Sequence, residues 1–124
     1  LPFSPFHQAF FIYNWLMVLL EFSVSPLGQG ESVSDYVARC VEIVDSSGLD
    51  YEVHAMGTLV EGDLAAVLDV MRRCIETVAV DCPRVSCTAK LDLRRDHRGA
   101  IEGKVASVER RLGHPLRRIG GARE

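Results

Sequence analysis

The sequence carries almost none of the short patterns that announce a reaction. It has no Gly-x-Ser-x-Gly elbow, no phosphate-binding P-loop, no HExxH pair and no dinucleotide-binding glycine fingerprint, which sets aside the enzyme classes built on those motifs. The four cysteines, Cys40, Cys74, Cys82 and Cys87, include no CxxC pair and no Cys/His spacing suited to zinc. Reduced thiols in a cytosolic protein, with neither a metal site nor a disulfide, are therefore the expectation. No stretch offers the roughly 20 uninterrupted apolar residues that a membrane span needs. Residues 1–16 lack Lys, Arg, Asp and Glu altogether, so they have no positive n-region of a secretory signal, and Pro2, Pro5, His7, Gln8 and Asn14 break their apolar character. Six of the nine aromatic residues crowd into that stretch. It reads as an upstream extension outside the core, the alternative being an apolar arm that packs on a partner subunit.

What remains has the size and balance of one domain: 124 residues, 48% hydrophobic and 25% charged. Charge is unevenly distributed. Residues 1–89 hold four basic against twelve acidic residues, a net of −8, whereas residues 90–124 hold ten against five, a net of +5. Matching within the chain or between subunits accounts for such a division as well as an anionic partner does. Neither nucleic acid nor membrane is expected as a partner.

From Val18 to Ser25 the residues alternate, Val18, Leu20, Phe22 and Val24 on one face and Leu19, Glu21, Ser23 and Ser25 on the other, the period of a half-buried strand. Pro26 to Gly30 ends it in turn residues. Ser32 followed by Asp35 resembles a capping box opening a helix that runs to about Ser47, with Tyr36, Val37, Cys40, Val41 and Val44 as its apolar stripe and Gly48 as its stop. Tyr51 to Gly62 alternates again around a break at Gly57 and reads as a hairpin. Asp63 is placed to cap a second helix carrying Leu64, Val67, Leu68, Met71, Ile75 and Val78. Pro83 closes that segment. A last strand follows over Arg84 to Leu93, then a third helix over about Ala100 to Leu112, and a loose tail over 114–124. The core domain is thus expected over 17–113.

Two right-handed β-α-β units in series predict an α+β, ferredoxin-like βαββαβ sandwich: a four-stranded antiparallel sheet, order 4-1-3-2, with two helices on one face and a C-terminal helix in addition. The other face is expected to be uncovered. It would carry Glu21, Ser23, Ser25, His54, Met56, Ser86, Thr88, Lys90 and Asp92, with either Thr58 and Val60 or Leu59 and Glu61 from the short third strand. Such a face is often merely solvated. Hydroxyls, an imidazole and both signs of charge on one platform also suit a ligand or a subunit contact.

Read together, EFSVSPLGQG from Glu21, SVSDYV from Ser32, SGLDY from Ser47 and MGTLVEG from Met56 resemble the thiamine-binding protein family over about Met17 to Leu112. Two positions depart from the family pattern: Ala55 stands where a proline is usual, and Leu91-Asp92-Leu93-Arg94 replaces an Ile-Asp-x-Arg sequence. The resemblance implies a small cytoplasmic homo-oligomer, a dimer or dimer of dimers, that binds thiamine or its hydroxymethyl-pyrimidine moiety without chemistry and without a cofactor. The ligand-binding residues expected on this basis are Glu21, Ser23, Ser25, His54, Met56, Thr58 and Thr88. Glu21 would accept from the amino group or offset the thiazolium charge, the hydroxyls would orient the ring, and Met56 would give it a polarizable surface. Glu21 could instead pair with Lys90. The competing functions are an oligomeric interaction module with no dedicated ligand, and an enzyme acting on a phosphorylated small molecule, for which the amides of Gly28-Gln29-Gly30 would supply an anion site.

Overall fold

The sheet is built around β1, Leu16–Pro26, which is paired along its whole length on one side and over Met17 to Phe22 on the other. The protein is described by a computed structural model over residues 16–28, 30 and 33–117. Of the expected 1–16 extension all but Leu16, which belongs to β1, lies outside the described residues, as do the proposed Ser32 cap and residues 118–124 of the expected 114–124 tail. After β1 come α1 (Ser34–Ser46), β2 (Asp50–His54), β3 (Gly57–Asp63), α2 (Leu64–Ala79), β4 (Val85–Arg95) and α3 (Ala100–Leu112). The strands are antiparallel and ordered β2-β3-β1-β4, the order expected.

Alternation along β1 does what it predicts: Val18, Leu20, Phe22 and Val24 are buried and meet Cys40 and Val44 of α1 and Val67, Val70, Cys74 and Val78 of α2. Each such side chain, fully buried, contributes about 1.5–3 kcal/mol before entropy is charged against it. Asp63 caps α2, its Oδ1 accepting from the Ala66 N–H at 2.9 Å. Gly48 adopts φ +77°, the left-handed backbone that ends α1. No side chain caps α1 among the described residues; its first helical turn follows Val33.

The hairpin between β2 and β3 closes through Ala55 and Met56, and neither adopts a positive φ. Gly57 is required for a different reason. A Cβ there would lie 3.0 Å from the Phe22 carbonyl oxygen, so the absent side chain is what lets β3 come alongside β1. The register Phe22 to Thr58 and Leu20 to Val60 then settles the facing of β3: Thr58 and Val60 turn toward the helices, Leu59 and Glu61 away from them.

One expectation is corrected. The face away from α1 and α2 is covered at one end, where α3 returns across the start of β1, while Glu21, Ser86, Thr88 and Lys90 stay exposed. Glu61, only 7% exposed, accepts from the Ala100 N–H at 2.7 Å through Oε2, and Lys104 of α3 pairs with Asp92 of β4. The pattern of α3 is amphipathic, but only Ala100 is buried.

Candidate functional site

β1 outruns its neighbour. The last β1–β3 pair is Phe22 with Thr58, while β1 continues to Pro26 still paired with β4 on its other side. Successive strand residues aim their N–H and C=O groups at alternate edges, so part of the Ser23 to Pro26 backbone has no ladder partner. The unpaired edge is roofed by α1 and closed at one end by the His54 to Gly57 turn. Together they enclose a cavity of about 330 Å³.

Its walls are apolar where α1 and the sheet core contribute, through Phe22, Val24, Val37, Val41 and Val53. Its rim is polar. Five of the seven residues expected to bind ligand line it: Ser23, Ser25, His54, Met56 and Thr58. They reach it from different directions. Thr58 faces the helices and is 9% exposed. Ser23 and Ser25 belong to the opposite face but flank the unpaired edge. Met56 sits at the turn, 84% exposed, and is not a core residue.

His54 is oriented by its own turn. Its Nδ1 accepts the Met56 N–H at 3.3 Å, so the neutral ring carries its proton on Nε2. That nitrogen stands 3.4 Å from Glu21 Oε2. Glu21 lies directly across from Lys90 in the β1–β4 register, yet among the described residues the ring nitrogen of His54 is the basic group within reach of its carboxylate. Glu21 is therefore coupled to the cavity through the imidazole. Thr88 lies opposite Ser23 on the face away from α1, outside the cavity lining.

Sequence reasoning missed the α1 wall. The signal was available: Val37 and Val41 widen the apolar stripe beyond Tyr36, Cys40 and Val44, and Val37 remains 42% exposed because it faces this space. A second cleft, of about 270 Å³, lies at the other end of the sheet and is dominated by Asp50, Glu61, Asp63 and Arg98, with Met17 and Leu49 as apolar contacts. Among the described residues no group of three or more metal-ligating side chains gathers where an ion could sit, and no helix is long and apolar enough to cross a membrane.

Comparison with known proteins places this architecture. Residues 20–109 match the family described as thiamine-binding protein. A UPF0045 protein of Mycobacterium bovis is 45% identical over 101 residues, 81% of this chain and 99% of its own length. A UPF0045 protein of Methanocaldococcus jannaschii is 40% identical over 91 residues, covering 73% of this chain and 91% of its own. The crystal structure of the hypothetical protein MJ1052 from that organism superposes with a TM-score of 0.69 at 39% identity, over 74% of this chain and 95% of the other. A Thermotoga maritima protein named for thiamine biosynthesis or salvage shares the fold, with a TM-score of 0.65 at 23% identity over 74% of this chain and 98% of its own.

Proposed function

The chain belongs to the thiamine-binding protein family, and from that premise we propose that it binds thiamine, or the hydroxymethyl-pyrimidine part of it, in the cavity between α1, β1 and the β2–β3 turn, and releases it unchanged. The observation that carries the reading is the overrun of β1, which leaves strand backbone unpaired beside an apolar wall. An aminopyrimidine presents a donor and an acceptor on one edge and a flat apolar face. The first complements free strand backbone and the Thr58 hydroxyl; the second suits Phe22, Val37 and Val53. A volume of about 330 Å³ falls at the small end of ligand sites, which run from roughly 300 to 1,000 Å³.

The thiazolium is a cation. In this reading Glu21, facing the rim through His54, supplies the counter-charge, and Ser23 and Ser25 fix orientation. Met56 folds over the bound ring, its exposure in the free protein leaving it available. No residue here is asked to act as nucleophile or base, so the role is binding rather than catalysis. The core domain, 17–113, is proposed to act in the cytoplasm as a homo-oligomer, a dimer or dimer of dimers. Supporting assembly, β4 is an 11-residue edge strand on which Leu91 and Leu93 remain 41% and 39% exposed.

Calorimetric titration with thiamine, its phosphates and the free hydroxymethyl-pyrimidine tests the proposal. Binding of every ligand that carries the pyrimidine is expected, and absence of binding by all of them refutes it. Val37→Trp, which fills the cavity from α1, is expected to abolish binding with the fold intact. Thr88→Ala is expected to leave it unchanged; a weakened Thr88→Ala would move the ligand onto the face away from α1. Light scattering reads the assembly, and a strict monomer overturns that part.

A further inference from the structure

Cys40 on α1 and Cys74 on α2 meet where the two helices cross. Cys40 Sγ lies 3.8 Å from the carbonyl oxygen of Cys74, and Cys74 Sγ lies 3.6 Å from the carbonyl oxygen of Cys40. Each side chain thus reaches across the contact to the other's backbone, which sets the two thiols side by side at the crossing. As core spacing alone explains both positions, a thiol at each would serve only as a small apolar filler.

Their surroundings differ in a way that filler does not require. Cys74 is sealed, with no exposed surface. Cys40 is 8% exposed, and what it exposes forms part of the wall of the 330 Å³ cavity. A solute small enough to enter the cavity therefore meets Cys40, with Cys74 packed behind it at the helix crossing. The electrostatics run the same way. The Cys40 thiol is held below its ordinary value, chiefly because the Cys74 thiol hydrogen-bonds to it, while that same contact and burial push Cys74 up. Reactive thiols combine access with thiolate character, and sealed ones are inert.

We propose that Cys40 and Cys74 form a peroxide-reactive dithiol, with Cys40 the attacking sulfur at the cavity wall and Cys74 the resolving sulfur behind it. The Cys40 thiolate attacks one oxygen of hydrogen peroxide. The O–O bond breaks, and hydroxide leaves and takes up the thiol's proton as water. Cys40 is then a sulfenic acid. The Cys74 sulfur attacks it, the S–S bond forms, and the S–OH oxygen departs as a second water carrying the Cys74 proton. Two thiols are oxidised and one peroxide is reduced. The bond ties α1 to α2 and draws the Cys40 sulfur off the cavity wall, so thiol and disulfide forms offer different walls to an occupant. Disulfides of this transient kind are those found in reducing compartments. The inference is independent of which ligand the cavity takes.

The other two cysteines are internal controls: Cys82 is buried beside the Tyr36 hydroxyl, and Cys87 on β4 is half-buried and more open than Cys40, its thiol pushed up by desolvation. The test treats the reduced, full chain with increasing hydrogen peroxide, quenches by alkylation, and reads intact mass and peptide maps. Two hydrogens should be lost, the free thiols should fall from four to two, and the linked peptides should contain Cys40 and Cys74. Cys40 should react at least about tenfold faster than Cys82. In Cys74→Ser, oxidation should stop at a Cys40 sulfenic acid that dimedone captures. In Cys40→Ser, Cys74 should stay reduced at the same dose. A link through Cys82 or Cys87, equal oxidation of all four thiols, or an unchanged thiol count overturns the proposal, and the parent chain's map decides even where a variant does not fold.

Discussion

Replacing Glu61 tests how α3 is held. The residue at the helix entrance, Gly99, has no side chain to offer, so β3 supplies the cap from across the fold: Glu61 Oε2 accepts from the Ala100 N–H at 2.7 Å. Both residues are buried, and Ala100 is the only buried residue of α3 among those described. Removing the carboxylate in Glu61→Ala leaves the Ala100 amide without its acceptor. A hydrogen bond to a charged group is worth about 1.5–3 kcal/mol, a figure that already includes the favourable placement of negative charge at a helix N-terminus. Glu61→Gln keeps an acceptor and loses only the charge, which should cost about 0.3–1 kcal/mol. Because α3 has so little other burial, the loss should appear first as local opening rather than global unfolding. Native-state amide exchange resolves this. In Glu61→Ala the amides of α3 should exchange roughly ten- to a hundredfold faster, at about 1.4 kcal/mol per factor of ten, with β1 and β3 less affected. The glutamine variant should fall between. If Glu61→Ala leaves α3 exchange unchanged, or if the glutamine is the worse of the two, α3 is anchored by its apolar side chains and the capping argument is wrong.

Other perturbations follow from contacts already described. Gly57→Ala should destabilise the hairpin by about 1–3 kcal/mol in urea unfolding, since its Cβ would press on the Phe22 carbonyl, which belongs to backbone and cannot swing aside. Asp63→Ala removes the acceptor for the Ala66 N–H and should cost about 1 kcal/mol by the same assay. The Asp92 carboxyl is held below its ordinary value by the hydrogen bond and charge of Lys104. Its contribution is therefore present above the unfolded carboxyl's titration and is lost as pH falls through the lower, folded value; α3 resonances should begin to shift in that acid range, and Asp92→Asn should abolish the effect. Glu21→Gln should weaken thiamine more than the uncharged pyrimidine, by titration calorimetry, because only the first carries a charge to offset.

Much of the fold was legible because burial imposes a period. Val18, Leu20, Phe22 and Val24 could not alternate with Leu19, Glu21, Ser23 and Ser25 without declaring a two-faced strand, and Val67, Val70, Cys74 and Val78 recur at the spacing of one helical face. Asp63 and Gly48 mark helix ends through chemistry that acts within a few residues. The motifs around Glu21, Ser47 and Met56 likewise pointed to the family, because they are contiguous. The facing of β3 was not legible. Thr58 and Leu59 are equally good strand residues, and the choice between them depends on how closely Gly57 lets one chain approach the carbonyl of Phe22, thirty-five positions earlier.

The candidate site divides the same way. Sequence named Ser23, Ser25, His54, Met56 and Thr58 and placed all but Thr58, whose facing it left open, on an uncovered platform; the fold gathers all five at the rim of a cavity roofed by α1. Residue types and local periods therefore determined the elements, their order and the chemistry available to a ligand. Which face each strand of the hairpin shows, where α3 lands, and the hollow left beside β1 were decided only in three dimensions. Each of these depends on strand lengths and registers that no residue sets alone: a strand that outlasts its neighbour by four residues creates an unpaired edge, and nothing in those four residues distinguishes them from the rest of the strand.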